Sequence, residues 1–502
     1  MAIAAVAILT AEAFMMVTII TMLIRGSTAA RKSSGRIVQK LIRRRMTQLP
    51  AHKNSRDSYA RAVVFVLTLV LTSPYLAVSM IPNIPWIALA FASILLLPYI
   101  FREFLIPRPS TEELVARMSL KGFPARVPSR LFIFSIFVPA LYGAAVVPTL
   151  IALGKLSLIL LVGLPMLAAR ARLAQSVFYG LLGAVWINFA LLLYGVLTGG
   201  PMAGMMMLGR WGTMLNQPGA LWRLAISVWF FAGYLTITRR SAATCLLLLV
   251  STALIFLDGA RTGIFLLLLE CLLLVLVLAV ERGRIRLVMF ALPAGAIAYA
   301  MIVSLSGGLS EVAVWAKLGG LARVGELLTN VQALGIGGLA ESDESRTRMF
   351  QDVVHAISNH PFFGSGMEST QSIGLAGPQN IHMTYLQVWA NLGLLGMITY
   401  TWLTWGWLRW LPRVLRILRE EEDDHARALH YNAAVTLLVF GIAACTYPLG
   451  SEWSDWIYFL VAYALLWDFV RAPKELFNRS QLSNRGIPPI LIENVSQREL
   501  SQ

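Results

Sequence analysis

Five basic side chains set at the edges of apolar stretches are the residues of this 502-residue chain best suited to chemistry. Arg261 stands in "LDGARTGIFLLLL", Arg346 and Arg348 in "SRTRMFQDVVHAISNH", Arg210 in "GRWGTMLNQPG" and His382 in "NIHMTYLQVWANLGLLG". An arginine beside a membrane-length apolar run is costly unless it snorkels, pairs or meets an anion. Its planar fork of donors suits phosphate oxygens. An imidazole with an ordinary pKa of about 6.5 can accept a hydroxyl proton near neutrality. Guanidinium groups with one imidazole can therefore hold a pyrophosphate and a reacting hydroxyl together.

Each residue also has a purely structural reading. Asp258, three residues before Arg261, could close a turn by pairing with it. Arg346 and Arg348 could head a solvated helix face, Arg210 is equally ambiguous, and His382 could bond backbone at a helix start. Glu270, in "LLLLECLLLV", is nine residues from Arg261, about 180° round a helix, so the two should not pair. It reads as a protonated acid bonded to a neighbouring helix, with a transporter's proton relay as the alternative. Asn380, Thr384, Gln387 and Asn391 would form one polar stripe if the helix begins that early. His382 falls about 200° from Asn380, outside that stripe.

No Walker motif, metal-ligand helix motif or serine nucleophile elbow occurs, so neither metal nor cofactor is expected. Cys245, Cys271 and Cys445 all lie inside apolar stretches and match neither a disulfide framework nor a metal spacing.

The elements that must position these residues are membrane helices. Only 14% of the chain is charged and 57% is hydrophobic, against about 25% charged in an ordinary soluble protein. Apolar windows over 3–24, 62–81, 84–101, 131–150, 154–169, 174–198, 221–237, 242–258, 262–280, 287–305, 385–408, 433–450 and 456–470 predict an all-α polytopic membrane protein of about 12 to 13 spans. The net charge of +16 is concentrated between spans. Eleven Lys/Arg against Asp57 alone fill 25–61, and further clusters follow at 102–130, Arg170/Arg172, Arg239/Arg240 and Arg282/Arg284/Arg286. That distribution fits cytoplasmic loops and anionic inner-leaflet lipids, and argues against nucleic acid.

The first 24 residues lack a basic leader and carry Glu12, which predicts an uncleaved span with an external N-terminus. Alternating sides from there puts every basic cluster inside, together with Arg413, Arg416, Arg419 and the C-terminal tail. Trp402, Trp405, Trp407 and Trp410 would then mark the inner interface. The division expected is 1–306 as N-terminal membrane helices with the basic loop 25–61, 307–384 as a large external loop, 385–470 as C-terminal membrane helices, and 471–502 as a cytoplasmic tail. Within the external loop, Arg346, Phe350, Val353/Val354 and Ile357 share a helical face, predicting an amphipathic helix on the outer membrane surface.

Three stretches carry a family resemblance: the Arg-Thr-Gly turn at 261–263, the Arg–aromatic–His-Pro–Gly-x-Gly pattern from Arg346 to Gly366, and the His–Leu-Gln–Gly-Leu-Leu-Gly pattern from His382 to Gly396. Together they resemble the bacterial O-antigen ligase and O-antigen or exopolysaccharide polymerase superfamily. A looser fourth match is "GRWGTMLNQPGALW", with Pro218 on a family proline. Ala260, Phe350 and Met383 stand where the family more often has serine, tryptophan and asparagine. The resemblance implies metal-independent, inverting transfer from an undecaprenyl-pyrophosphate-linked oligosaccharide to a glycan or lipid-linked acceptor, at the external face of the bacterial inner membrane. It further implies that Arg261 and Arg346 bind the donor pyrophosphate, with Arg210 and Arg348 as further substrate contacts, and that His382 orients or deprotonates the acceptor hydroxyl. Polymerase is the first expectation, ligase the alternative, and a secondary transporter or flippase the distant one.

Overall fold

The computed structural model describes residues 55–73, 123–141, 146–169, 171–198, 206–207, 210–282 without 214 and 217, 344–381 without 368, 370, 375 and 376, 383–445, 447 and 453–484, together with the isolated positions 87 and 91. The spans expected at 3–24, 84–101 and 287–305, and most of the basic loop 25–61, lie outside the described residues.

The described helices are α1 (Ser55–Leu71), α2 (Arg126–Ala140), α3 (Val146–Ser157), α4 (Leu164–Ala169), α5 (Ala171–Thr198), α6 (Leu221–Arg239), α7 (Ala242–Asp258), α8 (Arg261–Glu281), α9 (Glu344–Asn359), α10 (Thr384–Trp405), α11 (Leu411–Glu420), α12 (Asp424–Ala443) and α13 (Trp453–Asn484). A π-helical turn, Leu158–Gly163, joins α3 to α4. Among the described residues, four short strands form two antiparallel hairpins in connecting segments: β1 (Met206–Met207) with β2 (Arg210–Trp211), and β3 (Gln371–Gly374) with β4 (Gly377–Asn380). Five stretches among the described residues are long and apolar enough to cross a membrane: Val146–Ala168, Arg172–Gly195, Leu221–Arg239, Arg261–Glu281 and Asp424–Ala443. The chain is an all-α polytopic membrane protein.

Long-range contacts fix the relative directions of the helices. Arg223 of α6 meets Asp455 of α13, and Gly219 ahead of α6 meets Asp258 at the close of α7. At the opposite end, Arg239 of α6 meets Asp423 ahead of α12, and Arg427 of α12 approaches Glu281 of α8. Hence α6, α8 and α13 run one way while α7 and α12 run the other. The two ends are named here by their arginines, the Arg261 end and the Arg239 end. Between them, Asn432 of α12 accepts from the Phe231 amide at 3.0 Å and donates to the Ser227 carbonyl of α6 at 2.8 Å. Such side-chain bonds tie helices together where apolar contact alone gives no preference over lipid.

Three sequence expectations need correction. The windows at 131–150 and 154–169 are divided instead as α2 and α3–α4, with α2 ending just past Pro139. The 433–450 span begins earlier, at Asp424, because the polar turn containing Asp424, His425 and Arg427 is held by partners at the Arg239 end.

The third correction concerns 385–408, which is not one straight span. Gly393 adopts φ 72°, ψ −173°, inside α10. The Tyr385 and Tyr400 rings lie 5.4 Å apart, and the Trp405 indole donates to the Tyr385 hydroxyl at 2.7 Å. Residues twenty apart on a straight helix would be about 30 Å apart. The chain therefore folds back at Gly393 into two helical arms. The return arm, with α11, brings the chain to the Arg239 end, where the Glu421 carbonyl accepts from Arg427 at 3.1 Å. The tryptophans do not form a single belt either. Trp407 is fully buried, Trp405 packs on Gly441, and Trp402 faces outward.

Candidate functional site

The turn carrying Arg261 is built from two backbone choices. Gly259, at φ 65°, ends α7 in the left-handed region, and extended Ala260 starts α8 with Arg261 as its first residue. Asp258 is fully buried, and its two carboxylate oxygens each accept from the Gly219 amide at 3.0 Å. One of them also accepts from the Trp222 amide at 3.2 Å. A carboxylate at the start of α6 satisfies donors that a helix leaves unpaired, and favours the positive end of the helix dipole. Gly263 completes the Arg-Thr-Gly turn, because a Cβ there would lie 2.8 Å from Trp222.

Arg210 opens β2, which packs against α7. The strand leads into a tight turn in which the Thr213 amide donates to the Asn216 carbonyl at 2.7 Å. Asn188 of α5 holds that turn by accepting from Thr213 and Asn216 at 2.7 and 3.0 Å. Arg210 and Arg261 thus stand on segments joined through Gly219 and Asp258.

The second region is α9 with the turn after it. Met349 and Val353 are buried, and Val353 packs with Ile381 and Ala390. The apolar face of α9 therefore lies against the segment that enters α10, and Phe350 is only partly buried. Helical periodicity puts position 346 on the Met349–Val353 stripe. Arg348 is exposed and about 200° round from 346, so α9 does not bring those two arginines to one face.

After α9 the chain enters the break in α10. The Leu394 amide donates to the Pro361 carbonyl at 3.0 Å, and the Ser365 and Gly366 amides donate to the Ala390 and Asn391 carbonyls at 3.0 and 2.9 Å. The Trp389 indole also donates to Pro361, at 2.9 Å. Backbone groups freed by the fold-back are thus paired with the "HPFFGSG" turn. Both glycines are required. A Cβ on Gly393 would lie 2.1 Å from the Phe362 oxygen, and one on Gly364 would lie 2.3 Å from the Asn391 oxygen.

His382 itself, and the side chains of Arg210, Arg346 and Asn380, lie outside the described residues. The positions flanking His382 are described: Ile381 is fully buried, Met383 is non-helical, and Thr384 begins α10. Asn380 belongs to β4, paired with Gln371, so the helical polar stripe expected from Asn380 to Asn391 does not form. Thr384 has a different task. Its amide donates to the Ala444 carbonyl at 2.9 Å and its hydroxyl to the Tyr447 carbonyl at 2.6 Å.

Tyr447 completes a spine at the Arg261 end. Its hydroxyl donates to the Gly219 carbonyl at 3.3 Å, and its ring packs edge-on to Trp222 at 5.4 Å. The His382 segment, the Arg210 segment and the Arg261 turn are therefore linked in sequence through Thr384, Tyr447, Gly219 and Asp258. The α9 helix joins them through Val353 and Ile381.

One buried charged pair was not singled out by sequence reasoning. Arg223 and Asp455 form an ion pair at 2.5 Å with almost no exposure. The only sequence signal was a lone charge at the edge of each apolar window. Glu270 is fully buried and lines a small cavity with Arg223, Ser227 and Thr436. Its carboxyl interacts with the Phe230 backbone of the neighbouring helix α6, although under strict geometry neither oxygen has a hydrogen-bond partner among the described residues.

A family model described as O-antigen ligase matches residues 245–401, from α7 to the return arm of α10. No curated protein matches the chain. The resemblance to the O-antigen ligase and polymerase superfamily therefore stands over that central stretch, which contains Arg261, Arg346 and His382. Fold and match together are those of a polytopic membrane protein whose central stretch is similar to O-antigen ligases.

Proposed function

We propose that the chain is a membrane glycosyltransferase acting on undecaprenyl-pyrophosphate-linked glycans at the external face of the bacterial inner membrane, as an O-antigen or exopolysaccharide polymerase. The observation that carries this reading is the Thr384–Tyr447–Gly219–Asp258 spine, which draws the family-matched segments to one end of the bundle. Arg261 and Arg346 bind the donor's pyrophosphate and neutralise the charge that develops as it leaves. His382 accepts the acceptor hydroxyl proton as that oxygen attacks the anomeric carbon. The bond from anomeric carbon to phosphate oxygen breaks with its electron pair on the pyrophosphate, and the configuration inverts. Two guanidinium groups supply the charge stabilisation that a metal ion supplies in other transferases, so the reaction is metal-independent. Arg210 and Arg348 extend the anion-binding surface, with Arg348 peripheral because it faces away from position 346. Anionic lipids contact the basic loops at the opposite face.

A ligase that moves the finished glycan onto lipid A core is the second reading, favoured by the description of the matched family model as O-antigen ligase. The surface-glycan profile of a deletion strain separates the two. Loss of a polymerase leaves acceptors bearing one repeat unit, whereas loss of a ligase leaves full-length polymer on the lipid carrier. An unchanged profile contradicts both.

A further inference from the structure

We infer that Arg223 and Asp455 form a positioning pair that sets the spacing of the segments around the transfer site; the functional half of this inference rests on the reading of Arg261 and His382 given above. The two residues are 232 positions apart and come from the first turns of α6 and α13. Arg223 is 3% and Asp455 0% exposed, and their charged atoms meet at 2.5 Å. Removing two charges from water is costly, and well-packed apolar residues would join the helices at least as stably. Stability alone therefore gives a weak reason for the pair, whereas its geometry gives a specific one.

The guanidinium of Arg223 sits 5.2 Å from the centre of the Tyr447 ring. Such a contact orients the ring through its negative face. Tyr447 is also the residue that binds both site-bearing segments, through its hydroxyl to Gly219 and its carbonyl to Thr384. Gly219 leads to Asp258 and the Arg261 turn, and Thr384 follows His382 by two residues. Asp455 fixes Arg223, Arg223 fixes Tyr447, and Tyr447 fixes the separation of the two segments. Neither charged residue needs to touch substrate for this. They are positioning residues.

The test uses the full-length protein in lipid nanodiscs with a lipid-pyrophosphate-linked oligosaccharide as donor. The double variant Arg223→Met/Asp455→Leu removes both charges and keeps side-chain bulk, so it retains the fold. Amide hydrogen exchange at Gly219 and Thr384 should accelerate at least about tenfold, while amides beside the Arg239–Asp423 pair keep their rates. The turnover number should fall by about 10- to 100-fold with the donor KM unchanged. Arg223→Lys, which keeps the charge but loses the planar contact, should show the same local exchange change to a smaller extent. Wild-type exchange at Gly219 and Thr384 in the double variant overturns the inference, and so does equal acceleration at both ends of the bundle. Local acceleration with unchanged turnover overturns its functional half. The exchange readout is independent of transfer chemistry, so failure of the pair is distinguishable from failure of the site itself, which is read from His382→Ala.

Discussion

The two ends of the helix bundle handle charge in opposite ways. At the Arg261 end, charged groups are buried and bonded to backbone or to one another: Asp258 to the amides ahead of α6, and Asp455 to Arg223. At the Arg239 end, the Arg239–Asp423 pair lies 2.6 Å apart but is 44% and 56% exposed. Beside it, Arg427 reaches Asp424 at 3.5 Å and Glu281 at 3.9 Å, and Tyr234 donates to Glu281 at 2.9 Å. Exposed pairs of that kind contribute up to about 1 kcal/mol and are screened by salt. Groups that must hold a reacting geometry need fixed neighbours, and at the Arg261 end Asp258 and Arg223 have them. The contrast is the reason for placing the proposed chemistry at the Arg261 end.

The sharpest way to break this contrast is to remove the arginines assigned to the pyrophosphate. Arg261→Ala and Arg346→Ala should each lower glycan transfer by at least about 100-fold, with normal membrane insertion. Wild-type transfer rates in both, measured on purified protein with lipid-linked donor, would leave the Arg261 end without its function. Next in size is Gly393→Ala. The positive-φ backbone at Gly393, essentially open to glycine alone, costs another residue about 1–3 kcal/mol, and the clash with Phe362 adds to it. Thermal unfolding should shift downward by several degrees and protease cleavage should appear between 384 and 405. An unaltered melting curve would show that the arms do not reverse at Gly393.

Asp258→Ala should cost about 1–3 kcal/mol, because it strips the acceptor from two buried amides. A denaturant titration showing no loss would mean that water replaces the carboxylate freely. The smallest effects belong to the other end. Arg239→Ala should change stability by no more than about 1 kcal/mol and leave transfer at the wild-type rate.

Asp423 gives that end a weak pH signature. Burial pushes its carboxyl up, but the His425 and Ala426 amides and the Arg239 guanidinium outweigh burial and hold it below the ordinary aspartate range. Its stabilising contribution is complete above the unfolded pKa of about 3.9 and disappears as pH falls through the lower folded value. Unfolding midpoints followed between pH 7 and pH 3 should therefore differ between wild type and Asp423→Asn at the neutral end and converge on acidification. A difference that grows with acid would reverse the assignment.

How much of this was legible in the sequence varies with the element. For α6, α7 and α8 the apolar windows give boundaries within a residue or two, because each is predominantly apolar and ends on Arg, Asp or Glu. The α9 helix is legible from its period, although its apolar face meets Ile381 and Ala390 rather than only a membrane surface. The first turns of α12 were not legible, since Asp424, His425 and Arg427 look like loop until their partners from α6 and α8 are present. The reversal at Gly393 was hidden for a different reason. "NLGLLG" fits a closely packed straight helix, and its break depends on the Pro361–Gly366 turn arriving to pair the freed backbone. Arg261 carried a local signal through its Arg-Thr-Gly turn. Arg223 and Asp455 carried only a charge at a window edge, which acquires meaning from a partner 232 residues away.

The central claim is that chemistry resides at the Arg261 end and depends on His382. The most direct measurement compares purified His382→Ala and Arg239→Ala in transfer from a lipid-pyrophosphate-linked oligosaccharide, with folding checked by thermal unfolding. His382→Ala should lose at least about 100-fold in turnover with an unchanged melting temperature, while Arg239→Ala keeps wild-type turnover. Wild-type turnover in a folded His382→Ala protein would contradict the claim.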